Sequence, residues 1–175
     1  MTPIEQFQFC PKCGAPRRAT TAVSPYDCSS CGFHYYFNPT IAVGGILSGQ
    51  DGRLLLIRRA KDPAKGKLAV PGGFVDFGET AEEALRREVR EEVNLELAAL
   101  EYICSQPNSY LYRDITYAVL DLYYAAQITH GEAGAYDGVE SICWVEPSQV
   151  DPAEMAFPSM REALRVYQKR LNIVP

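Results

Sequence analysis

The most informative stretch of the sequence runs from Gly73 to Leu95 and reads GFVDFGETAEEALRREVREEVNL. Apolar residues recur in its second half with the helical period of about 3.6 residues, which predicts an α-helix from about Ala81 to Val93. Thr80 and Glu83 have the spacing of a capping box at the helix start. Asn94 can end the helix in the left-handed conformation that glycine usually adopts. The stretch therefore predicts a loop followed by a capped helix.

Two glutamates of this helix fall among its apolar residues. Each residue advances about 100° around a helix axis, so Glu88 and Glu92 lie within the apolar stripe, whereas Arg86 and Arg90 lie on the opposite, solvated face. Because desolvating a carboxylate costs several kcal/mol, each of these glutamates needs a partner. An ion pair with Arg87 is one explanation, but one arginine is not expected to neutralise the three carboxylates of Glu88, Glu91 and Glu92. Hard oxygen ligands suit Mg²⁺ or Mn²⁺, so the pattern favours a divalent-cation site.

Strands are predicted before and after this helix in the sequence. Two β-rich runs, Thr40–Leu47 and Arg53–Arg59, are separated by turn residues and predict a hairpin. Later apolar runs predict three more strands: Leu97–Cys104, Thr116–Gln127 and Val139–Val145. A last helix is predicted from about Met160 to Leu171, with Ser159 and Glu162 as a second capping box. Mixed strands and two helices in this order indicate an α/β sandwich.

Four of the six cysteines stand in two similar turns, Cys10-Pro-Lys-Cys13-Gly and Cys28-Ser-Ser-Cys31-Gly. Four thiolates in two such turns suit tetrahedral Zn²⁺ in a closed, structural site, and a segment this short needs a metal to be stable. Disulfides or a redox pair are the alternatives. The composition changes near Asn38-Pro39, so we expect a zinc ribbon over residues 1–38 and a main domain over residues 39–175.

The overall composition limits the classes of function. The 175 residues are 47% hydrophobic, which is enough to bury a core, and 17 Lys and Arg against 22 Asp and Glu give a net charge of −5. This charge argues against general nucleic-acid binding, and an anionic substrate would need a local basic pocket or a bound cation. No apolar run reaches the roughly 18 residues of a membrane helix, and the N-terminus lacks a secretory signal pattern. The sequence therefore predicts a soluble, cytoplasmic protein.

The stretch from Gly73 to Leu95 resembles the Nudix box, GX₅EX₇REUXEEXGU, in which U is aliphatic. The matching positions are Gly73, Glu79, Arg87, Glu88, Val89, Glu91, Glu92 and Leu95, with Asn94 in place of the second glycine. With the paired CxxC turns before it, the chain is similar to the zinc-ribbon Nudix hydrolases, a group that includes NADH diphosphatases. The resemblance implies an α/β/α sandwich with a mixed sheet, preceded by a small zinc ribbon.

The resemblance also implies an activity and metal ligands. It implies hydrolysis at the pyrophosphate of a nucleoside diphosphate linked to another group, with release of a nucleoside monophosphate. Glu88 and Glu92 would bind catalytic Mg²⁺ or Mn²⁺, and the carbonyl of Gly73 is a further candidate ligand. A later acidic residue often adds a ligand in this family, and we favour Glu140 over Asp137 for that role.

Three further box residues have implied roles. Glu91 would be a metal ligand or the base that helps to activate water, and Arg87 and Glu79 would pair to fix the loop against the helix. A homodimer is also plausible by resemblance.

A second motif bears on the substrate. Ser105-Gln106-Pro107 matches the start of the SQPWPFPxS motif of NADH diphosphatases, but Asn108 stands where that motif has Trp. Gln106, Tyr110 and Tyr112 are candidate substrate-binding residues. The tyrosines would stack on a base or pack within a loop. Arg58 and Arg59 end a strand, and one of them, with Arg58 as the candidate, would reach a phosphate; the alternative is a solvated strand end.

Two classes of function follow from these observations. The first is a metal-dependent pyrophosphohydrolase acting on a small nucleotide, with NADH, NAD⁺ or ADP-ribose ahead of FAD and other dinucleotides. The same chemistry would remove an NAD cap from RNA. The second is a non-catalytic Nudix module that senses nucleotides or binds nucleic acid. The complete set of box glutamates favours the enzyme.

Overall fold

The computed structural model describes residues 1–17 and 25–173, and the chain divides into two compact units. The smaller unit comprises Met1–Thr40 and Ser109–Val119, and the larger comprises Ile41–Asn108 and Leu120–Pro175. The smaller unit therefore includes a segment that lies far along the chain from the predicted boundary at Asn38-Pro39. In the part of the chain that is described, no helix is long and apolar enough to cross a membrane.

The regular elements of the described residues follow one another in this order: α1 (Pro3–Gln6), β1 (Tyr26–Asp27), β2 (His34–Tyr35), β3 (Thr40–Ser48), β4 (Leu54–Arg59), β5 (Leu68–Ala69), α2 (Ala81–Val93), β6 (Glu96–Leu97), β7 (Glu101–Tyr112), β8 (Ile115–His130), β9 (Val139–Val145) and α3 (Pro158–Arg170). In the smaller unit, β1 and β2 pair antiparallel. The seven strands from β3 to β9 form one sheet of order β5-β4-β3-β8-β6, in which β7 pairs with β8 and β9 pairs with β4.

The core of the larger unit lies on both faces of this sheet. Successive residues of β4 alternate between two apolar clusters: Leu55 and Ile57 pack on the side of α2, whereas Leu54 and Leu56 pack on the side of α3. A strand that is buried on both faces has a continuous apolar sequence, as β4 has. The architecture is therefore an α/β/α sandwich, and the predicted fold class is confirmed.

The ends of α2 follow the sequence prediction. The Thr80 side chain accepts a hydrogen bond from the Glu83 N–H, and the Glu83 side chain accepts from the Thr80 N–H. Asn94 adopts the left-handed conformation with φ 57°. Local chemistry alone accounts for both ends, because each contact lies within one helical turn.

The predicted start of the last helix is wrong. α3 begins at Pro158, where proline fits the first turn, and the preceding Phe157 makes no side-chain cap. Ser159, the predicted cap, lies inside the helix and is buried. Its hydroxyl accepts a hydrogen bond from the Tyr123 hydroxyl at 3.0 Å, so a distant partner uses the group that the capping box would need.

The predicted strand Leu97–Cys104 is divided in the structure between two strands, β6 and β7. β6 ends at Leu97, where the Arg86 guanidinium donates to the carbonyl oxygens of Leu97 and Ala98 at 2.7 Å each. Arg86 is thus half-buried, not on a solvated face as expected. β7 then continues through Pro107 to Tyr112, so Tyr110 and Tyr112, for which packing within a loop was one alternative, lie on a strand.

Candidate metal-dependent active site

The loop before α2 lies directly against two carboxylates of that helix. The Gly72 N–H donates to Glu92 Oε2 at 2.9 Å. Gly72 has φ +146°, and a Cβ there would lie 2.1 Å from the Val43 carbonyl oxygen, so only glycine fits. At Gly73 a Cβ would lie 2.4 Å from Glu88 Oε1. The Gly73 carbonyl accepts from the Val43 N–H at 2.8 Å and keeps a second lone pair.

Arg87 ties this loop to the helix and contacts four carboxylates, of which Asp76 is the most distant at 3.8 Å. Its Nη2 lies 2.6 Å from Glu79 Oε1, and its Nη1 lies 2.9 Å from Glu88 Oε1 and 3.2 Å from Glu91 Oε2. Nη2 also donates to the Phe74 carbonyl at 3.1 Å. The hydrogen bond from Arg87 lowers the pKa of Glu79. Among the described ion pairs, Arg87 contacts Glu88 and Glu91 but not Glu92, which agrees with the expectation that one arginine does not neutralise all three box glutamates.

Glu88 and Glu92 nevertheless keep raised pKa values. Burial raises the pKa of Glu92 to about 8, and the negative charge of Glu88 contributes in the same direction. Burial also raises the pKa of Glu88, although Arg87 acts against it. A bound cation would stabilise both carboxylates in their charged form. Two half-buried carboxylates on one helix face are oxygen donors of the kind that Mg²⁺ and Mn²⁺ accept, so the donor set fits a divalent cation.

The two arginines at the end of β4 have different surroundings. Arg58, the sequence candidate for a phosphate contact, donates from Nη1 to the Gly66 carbonyl at 2.6 Å. Arg59 donates from Nε to the Pro63 carbonyl at 2.9 Å, and its charge lowers the pKa of Glu92. Arg59, which the sequence did not single out above its neighbour, is therefore the one that acts electrostatically on the candidate site.

The two later acidic residues also differ. The charge of Asp137 raises the pKa of Glu92, and Asp137 Oδ1 lies 3.0 Å from Lys61 Nζ. Glu140 is an exposed residue of β9, at the point where the register of β4 and β9 shifts. The Tyr136 N–H donates to the Glu92 carbonyl at 2.9 Å, so the loop that carries Asp137 lies against α2, and this contact favours Asp137 as the candidate later acidic residue.

The four cysteines of the smaller unit converge on one point. Their sulfur atoms all lie within 4.8 Å of one another, and they are the one group of three or more such ligands in residues 1–17 and 25–173. The Sγ atoms of Cys10 and Cys31 are 3.7 Å apart, as are those of Cys13 and Cys28. A tetrahedron of Zn–S bonds of about 2.3 Å has edges of about 3.8 Å, so the spacing fits zinc.

The candidate substrate-binding residues lie in different units. Gln106 belongs to the larger unit, where its side chain acts against the burial that raises the pKa of the Cys104 thiol. Tyr110 and Tyr112 belong to the smaller unit, and the Tyr112 ring lies 5.2 Å from the Arg113 guanidinium. All three side chains are on β7.

A buried polar network in the larger unit was missed by the sequence analysis. Asp121 is 7% exposed, accepts a hydrogen bond from Asn108 Nδ2 at 2.9 Å, and lies 3.3 Å from the Tyr123 hydroxyl. The signal was present in the sequence, because Asp121 alternates with Val119 and Tyr123 at inward positions of a strand. The network gives Asn108, the residue that departs from the SQPW motif, a buried acceptor.

We expect Asp121 to make folding stability depend on pH. Burial raises its pKa above the ordinary value of 3.8, so its protonated form favours the folded state. The resulting contribution to folding stability is complete at pH values below the ordinary pKa and is lost as pH rises through the raised pKa of the folded state. The free energy of urea unfolding of the wild type, relative to Asp121→Asn, should therefore increase as pH falls from about 7 to about 4.5. A difference that stays constant over this range would contradict the assignment.

The fold and the box define the class of protein. A sequence model described as the NUDIX domain matches residues 38–167, and the chain belongs to this family. A NUDIX hydrolase from Nitrosomonas europaea has the same fold, with a TM-score of 0.71 over 94% of this chain and 93% of that one at 22% identity. Nudix enzymes use divalent metals, which agrees with the donor set of α2.

Particular relatives differ in their names. The chain is 38% identical over 107 residues to the ADP-ribose pyrophosphatase of Methanocaldococcus jannaschii, and the aligned region covers 60% of each protein. It is 40% identical over 102 residues to a mitochondrial NAD(P)H pyrophosphatase of Homo sapiens, covering 58% of this chain and 28% of that protein. It is 31% identical over 137 residues to an NAD-capped RNA hydrolase of Haemophilus influenzae, and this region covers 77% of this chain and 51% of that protein. The chain thus spans less than two thirds of each of these relatives.

Proposed function

We propose that this protein hydrolyses the pyrophosphate bond of a nucleoside diphosphate linked to another group, with NADH, NAD⁺ and ADP-ribose as the first candidate substrates. The observation that carries this proposal is the pair of half-buried carboxyls on α2, Glu88 and Glu92, whose pKa values are raised next to the Gly72-Gly73 loop. The names of the relatives support the substrate class.

The residues of α2 would hold the catalytic cation. Glu88 and Glu92 are the proposed ligands of Mg²⁺ or Mn²⁺, with the Gly73 carbonyl as a further ligand and Glu91 as ligand or base. The chemistry that such a cation supplies is neutralisation of charge on the phosphoryl oxygens and a lower pKa for bound water. Arg87 holds Glu88 and the loop in place, and the Gly72 N–H orients the carboxylate of Glu92.

The remaining assignments are proposals of the same kind. We assign the later acidic ligand to Asp137 in preference to Glu140, because Asp137 acts on Glu92. The four cysteines would hold structural Zn²⁺ in a ribbon over residues 1–38, before a Nudix hydrolase domain over residues 39–175. Gln106, Tyr110 and Tyr112 stay candidates for substrate contact. We assign the phosphate contact of β4 to Arg59 rather than Arg58.

A panel of substrates tests the activity. NADH, NAD⁺, ADP-ribose, FAD and NAD-capped RNA would each be incubated with the purified protein and Mg²⁺ or Mn²⁺, and AMP release or cap removal measured by chromatography. We expect release from at least one compound, with kcat/KM about tenfold or more above the others, since one well-placed hydrogen bond or charge contact supplies that discrimination. The RNA is included because a relative is named for that activity. A folded, zinc-loaded protein that leaves the whole panel intact would refute the proposal.

A further inference from the structure

An ion pair joins two loops beside the candidate site. Just after β4 ends and just before β9 begins, the Ala60 N–H donates to the Gly138 carbonyl at 2.9 Å. The next residues outward are Lys61 and Asp137, whose Nζ and Oδ1 atoms are 3.0 Å apart. The residue before Asp137, Tyr136, donates its N–H to the Glu92 carbonyl at 2.9 Å, so this loop lies against α2, and the charge of Asp137 acts on Glu92. The pair therefore lies within electrostatic reach of the carboxylates on α2.

Lys61 differs from the two arginines before it in what its cation contacts. Arg58 and Arg59 donate to backbone carbonyls of the loop that follows β4, and the Arg59 guanidinium also lies 5.1 Å from the centroid of the Phe157 ring. These contacts restrain both guanidinium groups, so the phosphate contact assigned to Arg59 would be made from a fixed position. The Lys61 ammonium instead pairs with a carboxylate, and the two side chains are 69% and 77% exposed. An exposed ion pair contributes little to stability, so its partners can be exchanged cheaply.

The charge of the whole protein makes such an exchange useful. The net charge is −5, so a pyrophosphate needs local positive charge in order to approach. A lysine is a compact cation on a flexible chain, and it binds phosphate as a point charge. Asp137, once released, is a hard oxygen donor near Glu92.

We propose that Lys61 and Asp137 exchange partners when substrate binds: Lys61 moves to a phosphoryl oxygen of the pyrophosphate, and Asp137 turns to the cation held by Glu88 and Glu92. This inference rests on the proposed function. Before substrate arrives, the positive charge of Lys61 weakens the attraction of Asp137 for a divalent cation. After substrate arrives, the anion draws Lys61 away. Lys61 is thereby a binding residue for the pyrophosphate group.

Direct titrations of the full chain test the exchange. The variant Lys61→Gln removes the charge, and Lys65→Gln removes an exposed lysine of the same loop as the matched control. With Mn²⁺ alone, followed by electron paramagnetic resonance, Lys61→Gln should bind about two- to fivefold more tightly than wild type. With inorganic pyrophosphate and Mg²⁺, followed by calorimetry, it should bind about tenfold more weakly. Asp137→Asn should weaken Mn²⁺ binding, and Lys65→Gln should match wild type in both titrations.

Other results would overturn the inference. If Lys61→Gln and Lys65→Gln behave alike in both titrations, Lys61 contacts neither ligand. If pyrophosphate binding weakens but Mn²⁺ binding does not tighten, Lys61 and Asp137 do not exchange. Neither titration needs turnover, so a wild type that hydrolyses no compound of the panel would refute the proposed function separately.

Discussion

Replacing Glu92 by glutamine is expected to lower kcat for pyrophosphate hydrolysis by about 10³-fold while the protein stays folded. A catalytic cation contributes several kcal/mol of transition-state stabilisation, and each tenfold in rate is about 1.4 kcal/mol. Glutamine keeps the shape of glutamate and can still accept the hydrogen bond from the Gly72 N–H, but it is a poor ligand for a hard cation. The loss should therefore appear in catalysis.

Stability measurements separate this effect from misfolding. Because burial raises the pKa of Glu92 to about 8, its charge does not stabilise the metal-free fold, and the thermal midpoint of Glu92→Gln without metal should equal or exceed that of wild type. Glu162→Gln, the same change on an exposed face of α3, is the matched control and should keep full activity. A Glu92→Gln enzyme that retains kcat within tenfold of wild type would exclude Glu92 as a ligand.

Replacing Cys28 by serine is expected to abolish zinc binding and unfold the ribbon. Structural zinc contributes about 10–16 kcal/mol of apparent binding free energy in small modules. Among the described residues, the smaller unit buries few besides its cysteines and aromatic rings, so we expect zinc to be its main source of stability. The amide protons of Gly14 and Gly32, which donate to the carbonyls of Cys10 and Cys28 at 2.9 Å, should lose their protection.

Metal analysis and hydrogen exchange measure the two parts of this prediction. Wild type should contain one zinc per chain, and Cys28→Ser should contain almost none. Cys104→Ser is the control, because Cys104 packs in the core of the larger unit and should leave the zinc in place. Zinc retained by Cys28→Ser, or unchanged protection at Gly14 and Gly32, would show that the four sulfurs do not form the metal site.

The elements that the sequence predicted well depend on local interactions. α2 could be located from its periodicity, and both of its ends use contacts within a single turn. The placement of Glu88 and Glu92 in the apolar stripe follows from helix geometry alone. The paired CxxC turns could be located from the cysteine spacing, and each turn is closed by its own backbone hydrogen bond.

The features that the sequence did not predict depend on distant partners. Ser159 does not cap α3 because its hydroxyl contacts Tyr123, 36 residues away. The break between β6 and β7 follows from the reach of Arg86 across the helix surface. Arg58 and Arg59 are adjacent in sequence, and only the path of the following loop separates their roles. The partners of these side chains are set by tertiary packing, which the periodicity of a sequence does not encode.

The contact of Gly72 with Val43 and of Gly73 with Glu88 has a practical consequence for engineering. A saturation library over this loop would yield folded clones with glycine alone at position 72, where even a methyl group would overlap the Val43 carbonyl oxygen. Alanine at position 73 would instead displace the Glu88 carboxylate, and with it the proposed metal ligand. Substitutions are better tolerated at Phe77 of the same loop, because its side chain is fully exposed.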